Sequence, residues 1–372
     1  MTNLIKELTP EPKSALAFFD IWFKNVDWSS LISFVRIHPT KPGALPIVVS
    51  ISDAYEAISS SGLDDLIWDN GSFYDLYYSA VTMIRPEKGR GGLRHVKEVP
   101  GVWVDLDVKP GSFDDQEQAM QLLRDCPLPP TAIVLTGSGG IHAYWRLDVP
   151  AGTEEGRELN LRWWCLLTSI VYPISIDRLV DPSRVLRVPG SIRWPKKFDQ
   201  TPKRVTLHYT NDVSYSAEQI RLATQDIWDE HLNRINNTRD KVLQSRIQVQ
   251  QHLQRLVSED SSNKWLRYMD IAYIEDKFNE MYSWDSVLEP LGWTKLGEDE
   301  DHRVLWSRPG DGVRKSATTD WPDSPHIMSL FSTAEETGLL DLHDSEIPLT
   351  KYRVWVHLTW GGDERSAISS LL

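Results

Sequence analysis

The stretch Val102-Trp-Val-Asp-Leu-Asp-Val-Lys109 decides how this chain is read. It is apolar and β-branched with two carboxylates inside it, the composition of a buried strand. Alternation along a strand places Asp105 and Asp107 on one face, and Val104, Leu106 and Val108 on the other, toward a core. Two carboxylates ~7 Å apart along a strand repel each other and resist desolvation. A divalent cation between them relieves both problems, and hard oxygen ligands favour Mg²⁺ or Mn²⁺ over zinc. An isolated Asp-x-Asp is equally what two solvent-facing aspartates at a strand end look like, so the neighbouring stretches must decide.

Thr131 to Leu147 reads as a hairpin: an apolar strand, the turn Gly137-Ser-Gly-Gly140, and an alternating strand. In the second strand Ile141, Ala143, Trp145 and Leu147 share one face, and His142, Tyr144 and Arg146 share the other, polar one. The turn offers backbone N–H groups and the Ser138 hydroxyl, and His142 adds a donor, a combination suited to phosphate. A tight hairpin with an incidental histidine is the alternative. Further on, Ile174 to Ser191 holds Asp177 and Asp181, then Arg184 and Arg187 leading into Pro189-Gly190. Asp181-Pro182 looks like a helix cap followed by proline at the first helical position. Asp177 ends an apolar run without such an explanation and is the better third carboxylate.

An Asp-x-Asp, a Ser-Gly-Gly-x-His on a hairpin, and an Asp before Arg-x-x-Arg-x-Pro-Gly, in that order, resemble the archaeo-eukaryotic primase superfamily. Its phage and plasmid primase-polymerases are the most similar. The resemblance covers roughly residues 80–200. It implies an α/β (α+β) fold with a catalytic sheet like that of an RNA-recognition motif. It further implies that Asp105, Asp107 and Asp177 hold two divalent ions, Mg²⁺ or Mn²⁺. Ser138, Gly139, His142, Arg184 and Arg187 would then face an incoming nucleoside triphosphate, ribo- or deoxyribo-. Where such relatives often follow Pro-Gly with Thr-x-Asn-x-Lys, this chain has Ser191-Ile-Arg-Trp-Pro-Lys-Lys197, and Lys196 is nearest to the lysine's place.

Composition is compatible with that expectation. The chain has 372 residues, 41% of them hydrophobic and 25% charged, enough for two or three domains with real cores. No apolar run approaches the ~20 residues of a membrane span, and the N-terminus lacks a signal-peptide pattern. Cys126 and Cys165 have no zinc-type spacing and read as small buried hydrophobes, so no zinc module is expected. A reducing compartment, the cytoplasm of a bacterial host, is expected. The net charge of −13 disfavours a strong grip on duplex DNA. Locally the balance reverses: residues 173–204 hold eight Lys or Arg against three acids, and 85–97 hold five against one. A salt-sensitive hold on a single-stranded template and primer fits that balance.

Taken in order, residues 14–25 have helical spacing, Leu31–Ile37 and Ile47–Ile51 read as strands, and Asp53 looks like the cap of a helix from Ala54. Residues 73–84 read as strand. The basic, glycine-rich loop Arg85–Arg94 lacks the context and the terminal Gly-Lys-Ser/Thr of a P-loop; it is either a template or triphosphate contact or a surface loop. Residues 114–125 and 153–171 read as helices, on one side of the sheet, and Val205–Tyr209 as a closing strand. From Ser216 the spacing is helical. The expected division is therefore a catalytic domain at 1–213, a helical domain at 214–280, and a Trp-rich linking module at 281–372. Ser283 and Asp363 look like helix caps in that module. It loosely resembles the segment between primase and helicase parts of phage replication proteins. With no P-loop in the chain, a helicase would belong to a longer protein of which this is a fragment. The reading is a template-directed DNA primase and polymerase. Its rivals are a metal-dependent nuclease or nickase, disfavoured by the lack of His-x-His, and a catalytically inactive replication adaptor.

Overall fold

The computed structural model describes residues 9–41, 43–63, 74–110, 112–178, 181–195, 201–259, 271–299, 302–310, 312, 314–331, 337, 339–345 and 347–371. They pack into two compact units, Met1–Trp228 and Asp229–Leu372.

The first unit runs α1 (Pro12–Trp22), β1 (Leu31–Ile37), β2 (Ala44–Ser50), α2 (Ile51–Ser61), β3 (Asp75–Ser79), β4 (Thr82–Met83) and β5 (Val96–Leu106). It continues with α3 (Gln116–Asp125), β6 (Ala132–Leu135), β7 (Ile141–Ala151), α4 (Thr153–Val171), β8 (Val185–Arg187), β9 (Ile192–Arg193), β10 (Lys203–Arg204) and β11 (Thr206–Thr210). One antiparallel sheet takes the order β11–β6–β7–β5–β4–β1–β3–β8, with β2 on β1, and β9 pairs β10 separately. The β5–α3–β6–β7–α4 succession sits at its centre, and the N-terminal strands extend the same sheet beyond β5.

Helices cover both faces of the sheet, not one. Tyr144, on the face read as polar, packs edge-on against Phe18 and Trp22 of α1, with ring centroids 4.9 and 5.0 Å away. Arg146 on the same face is buried. It donates to the Ile21 carbonyl at 2.7 Å and to Asp212 at 2.8 Å. The opposite face meets α4, where Trp145 lies 4.9 Å from Trp163 and Asn160 accepts from the Trp103 amide. A side chain at Gly156 of α4 would collide with Val99 at 2.5 Å, which is how closely helix and strand approach. Period-2 alternation assigns residues to faces, but whether a face is wet depends on what packs there.

Other local readings shift as well. The helix after β2 starts at Ile51, capped by Ser50, whose hydroxyl accepts from the Asp53 amide at 3.0 Å; Asp53 is inside the first turn. The 73–84 run is broken between β3 and β4, where the Ser79 hydroxyl donates to the Val81 carbonyl. Asp181 caps no helix: its carboxylate accepts from the amide and hydroxyl of Ser183 at 2.9 and 2.8 Å, an aspartate turn.

The second unit begins within α5 (Ala217–Glu259), followed by α6 (Ile271–Met281), α7 (Trp284–Leu288), β12 (Thr294–Glu298), β13 (Val304–Ser307), β14 (Ala317–Thr319), β15 (Ser329–Leu330), α8 (Leu339–Asp344), α9 (Lys351–Trp360) and α10 (Glu364–Leu371). The separate helical domain expected at 214–280 is therefore redrawn. α5 runs 43 residues without a glycine or proline, opened by a reciprocal Ser216–Gln219 cap. Its first turns bury Ile220 and Thr224 in the first unit, while Val249 belongs to the core of the second, with Phe278, Trp284, Trp306 and Tyr352. Ser283 and Asp363 cap α7 and α10 as read from sequence. Among the described residues no helix is long and apolar enough to cross a membrane.

Candidate active site

β5 and β7 pair with Asp105 directly opposite His142, and β6 brings Val134 against His142 from the other side. The strand ends at Leu106, so Asp107 lies just past it. The chain then turns, with the Ser112 amide donating to the Lys109 carbonyl and the Ser112 hydroxyl to the Ser175 carbonyl, both at 2.9 Å. Trp164 of α4 anchors the same partner segment, donating to the Ile176 carbonyl at 3.1 Å. These ties bring Asp177, distant in sequence, to Asp107. Lys109 stands between them: its ammonium lies 2.9 Å from Asp107 Oδ2 and 2.9 Å from both oxygens of Asp177.

Asp105 is the most perturbed group of the set. Burial pushes its carboxyl well above the usual range, and the negative charges of Asp107 and Asp177 push it the same way, with Lys109 and Arg187 opposing. Its Oδ1 is buried and has no hydrogen-bond partner among the described residues. His142 Nε2 is 3.6 Å from that oxygen, and His142 Nδ1 is likewise buried without a partner. Burial, helped by Arg187, pushes His142 down to about 3, so the ring is neutral at physiological pH. It can orient a ligand by hydrogen bonding but brings no charge.

The glycine turn flanks the carboxylates. The Thr136 and Ser138 hydroxyls lie 2.7 Å apart, with Ser138 exposed. Gly139 has φ +100°, in the left-handed region that glycine favours. A side chain at Gly140 would press on the Leu106 carbonyl at 2.9 Å, so glycine here lets the turn close onto the end of β5. Gly137 lies against the β9–β10 hairpin: its missing Cβ would meet Arg193 Cβ at 3.3 Å and Lys203 Cβ at 3.4 Å. Arg193 and Lys203 are directly opposite each other in that hairpin, and neither side chain has a hydrogen-bonded or ion-paired partner among the described residues. Like charges facing across a ladder are unfavourable unless an anion joins them.

The arrangement thus brings together Asp105, Asp107, Asp177 and His142, with Ser138 and Gly139 on the adjoining turn. Arg187 stands differently from its sequence reading. Its guanidinium is committed to the buried Asp75 at 2.5 Å and lies 4.8 Å over the Tyr77 ring, so it reaches Asp105 and His142 through its field. Arg184 is exposed on the turn after Asp181, near Arg90, which donates to the Ser183 carbonyl. Lys196 lies outside the described residues. Sequence reasoning passed over Lys109, although parity puts it on the face of Asp105 and Asp107. It counted Arg193 and Lys203 only as part of a basic cluster, because hairpin register is not visible in composition.

Among the described residues no three Asp, Glu, His or Cys side chains stand close enough to share one metal ion as they are. The donor chemistry nonetheless suits a hard divalent ion. The charges of Asp107 and Asp177 act on Asp105, one Asp105 oxygen is buried without a partner among the described residues, and a cation already bridges the other two carboxylates.

No protein-family model matches the chain, and no curated protein does. Solved structures do. The AEP domain of the primase-polymerase of cyanophage S-2L aligns at 18% identity and TM-score 0.41, over 58% of this chain and 99% of that one. The primase RepB' aligns at 15% identity and TM-score 0.42, over 74% and 85%. The catalytic domain of primase RepB' in complex with initiator DNA aligns at 16% identity and TM-score 0.35, over 58% and 97%.

Proposed function

We propose that the first unit is a template-directed nucleotidyl transferase of the archaeo-eukaryotic primase type, a DNA primase and polymerase acting on a single-stranded template and primer. The observation that carries this reading is the convergence of Asp105, Asp107 and Asp177 beside a neutral His142 and a glycine turn packed against Arg193 and Lys203.

Asp105, Asp107 and Asp177 would hold Mg²⁺ or Mn²⁺, which when bound supplies Lewis-acid activation of the primer 3′-hydroxyl and charge neutralisation at the leaving pyrophosphate. The protein's own part is positioning. The turn at 137–140 presents backbone N–H groups and the Ser138 hydroxyl to phosphate oxygens. Arg193 and Lys203 offset the negative charge of the triphosphate, beside any contribution from Lys196. His142, held neutral, orients a phosphate without competing for its counter-ions. Arg187, anchored on Asp75, keeps a fixed positive field behind Asp105. Holding an in-line geometry is most of what such a transfer needs from the protein.

The test is incorporation of labelled nucleotides on a primed single-stranded template with Mg²⁺ or Mn²⁺. Asp177→Ala should abolish extension while leaving the fold intact. Asp181→Ala, which removes the turn at Ser183 and a charge near Arg90, should cost about 1 kcal/mol of stability and little activity. Full extension by a folded Asp177→Ala protein would remove the basis of the proposal.

A further inference from the structure

Lys109 is the residue in the site that the proposed reaction does not use. Its stem leaves the chain just past β5 and folds back, so that the ammonium lies within 2.9 Å of three carboxylate oxygens on Asp107 and Asp177. An ammonium has three N–H donors, and three acceptors surround this one. Its side chain is 30% exposed, and those of Asp107 and Asp177 are 36% and 34% exposed, so water reaches the cluster.

Resting on the nucleotidyl-transferase reading of this site, we propose that Lys109 is a tethered counter-ion that a divalent cation must displace. While Lys109 is in place, the carboxylates are held together without metal, and no three of the site's carboxylate or imidazole groups stand close enough to ligate an ion. A divalent ion offers two charges where the ammonium offers one, but it must break ion pairs already made. The exchange lowers affinity for metal alone. It also frees a cation on a four-carbon stem one residue past Val108, whose Cβ a side chain at Gly139 of the phosphate-facing turn would meet at 3.6 Å. The released ammonium finds a new partner only when a polyanion such as a triphosphate arrives, so loading of metal and of nucleotide are coupled through this one side chain.

The experiment is Mn²⁺ binding to the full chain, without nucleotide, followed by the loss of the free-ion electron paramagnetic resonance signal. Lys109→Met, which keeps the stem, should bind Mn²⁺ about tenfold more tightly than wild type, since two competing ion pairs are gone. A non-hydrolysable nucleoside triphosphate should tighten Mn²⁺ binding in wild type and do so less in Lys109→Met. With EDTA, Lys109→Met should melt below wild type, and added Mn²⁺ should restore it. Lys109→Gln repeats the comparison in case the methionine variant does not fold. Unchanged or weaker Mn²⁺ binding by a folded Lys109 variant overturns the inference. Asp107→Asn and Asp177→Asn separate the two readings. If they weaken Mn²⁺ binding but the Lys109 variants do not strengthen it, the counter-ion idea fails alone. If neither aspartate matters, the metal-site reading fails with it.

Discussion

Replacing Asp105 by Asn should stabilise the metal-free protein and silence it as an enzyme. The carboxyl is pushed well above the ordinary aspartate range, first by burial and then by Asp107 and Asp177. For an acid raised in the folded state, stability is full below the unfolded value near 3.9 and is lost as pH rises through the folded value. At pH 7.5 the wild type therefore carries the cost of that burial and repulsion, with one oxygen of Asp105 lacking a hydrogen-bond partner among the described residues. Every tenfold weakening of an acid on folding costs about 1.4 kcal/mol once the group is ionised. A quarter of the side chain is exposed, and Lys109 and Arg187 offset part of the repulsion, so a gain of ~1–2 kcal/mol is the reasonable size. In a domain of this length that corresponds to a melting point higher by ~3–6 °C. The measurement is thermal unfolding in EDTA at pH 7.5 and again near pH 4, where the advantage should shrink because the wild-type carboxyl is protonated. Primer extension with Mn²⁺ on the same variant should fall by two or more orders of magnitude, roughly 3 kcal/mol. A melting point below wild type at pH 7.5, or extension near the wild-type rate, would refute the assignment of Asp105 as a strained functional carboxylate.

Arg193→Ala with Lys203→Ala should raise the KM for nucleotide by about tenfold or more without lowering the melting point, because the pair repels in the absence of an anion; an unchanged KM counts against the phosphate role. In the second unit, Glu364 is buried and held at about 7, chiefly by burial. That raised value means stability lost as pH climbs from the unfolded value near 4.3 through 7, by at most ~4 kcal/mol. Glu364→Gln should therefore flatten the decline in melting point between pH 5 and 8, and an unchanged slope places the titration elsewhere. Finally, a chain ending at Trp228, where the first unit ends, should extend primers but fail to start chains de novo, since holding a first nucleotide needs a second surface. Full priming by the short chain would show that the second unit is a spacer. A cut at Val213 would be a poorer test. Tyr215 donates its hydroxyl to the Pro129 carbonyl and its amide to the Arg146 carbonyl, and Ile220 is buried in the same core.

The strand ending beside Asp105 and Asp107, the glycine hairpin, α1, β1, α4 and the caps at Ser283 and Asp363 were legible from sequence, because each rests on local physics. Period-2 and period-3.6 patterning, turn chemistry and capping act over a few residues and leave their mark there. Asp177 was legible as a candidate only by elimination, and Asp181 was mistaken for a helix cap because an aspartate turn and a cap share the same residues. What the tertiary structure alone decided involves partners far apart in the chain. His142 is neutral because α1 and the strand pairing bury the face that alternation marks as polar. Arg187 is committed to Asp75, 112 residues away. Lys109 bridges Asp107 to Asp177 because Ser112 and Trp164 tie two distant segments together. Arg193 meets Lys203 only through a hairpin register. The end of the first unit moved from 213 to 228 for the same reason: a helix with uniform local propensity carries no mark of which core each of its turns is buried in.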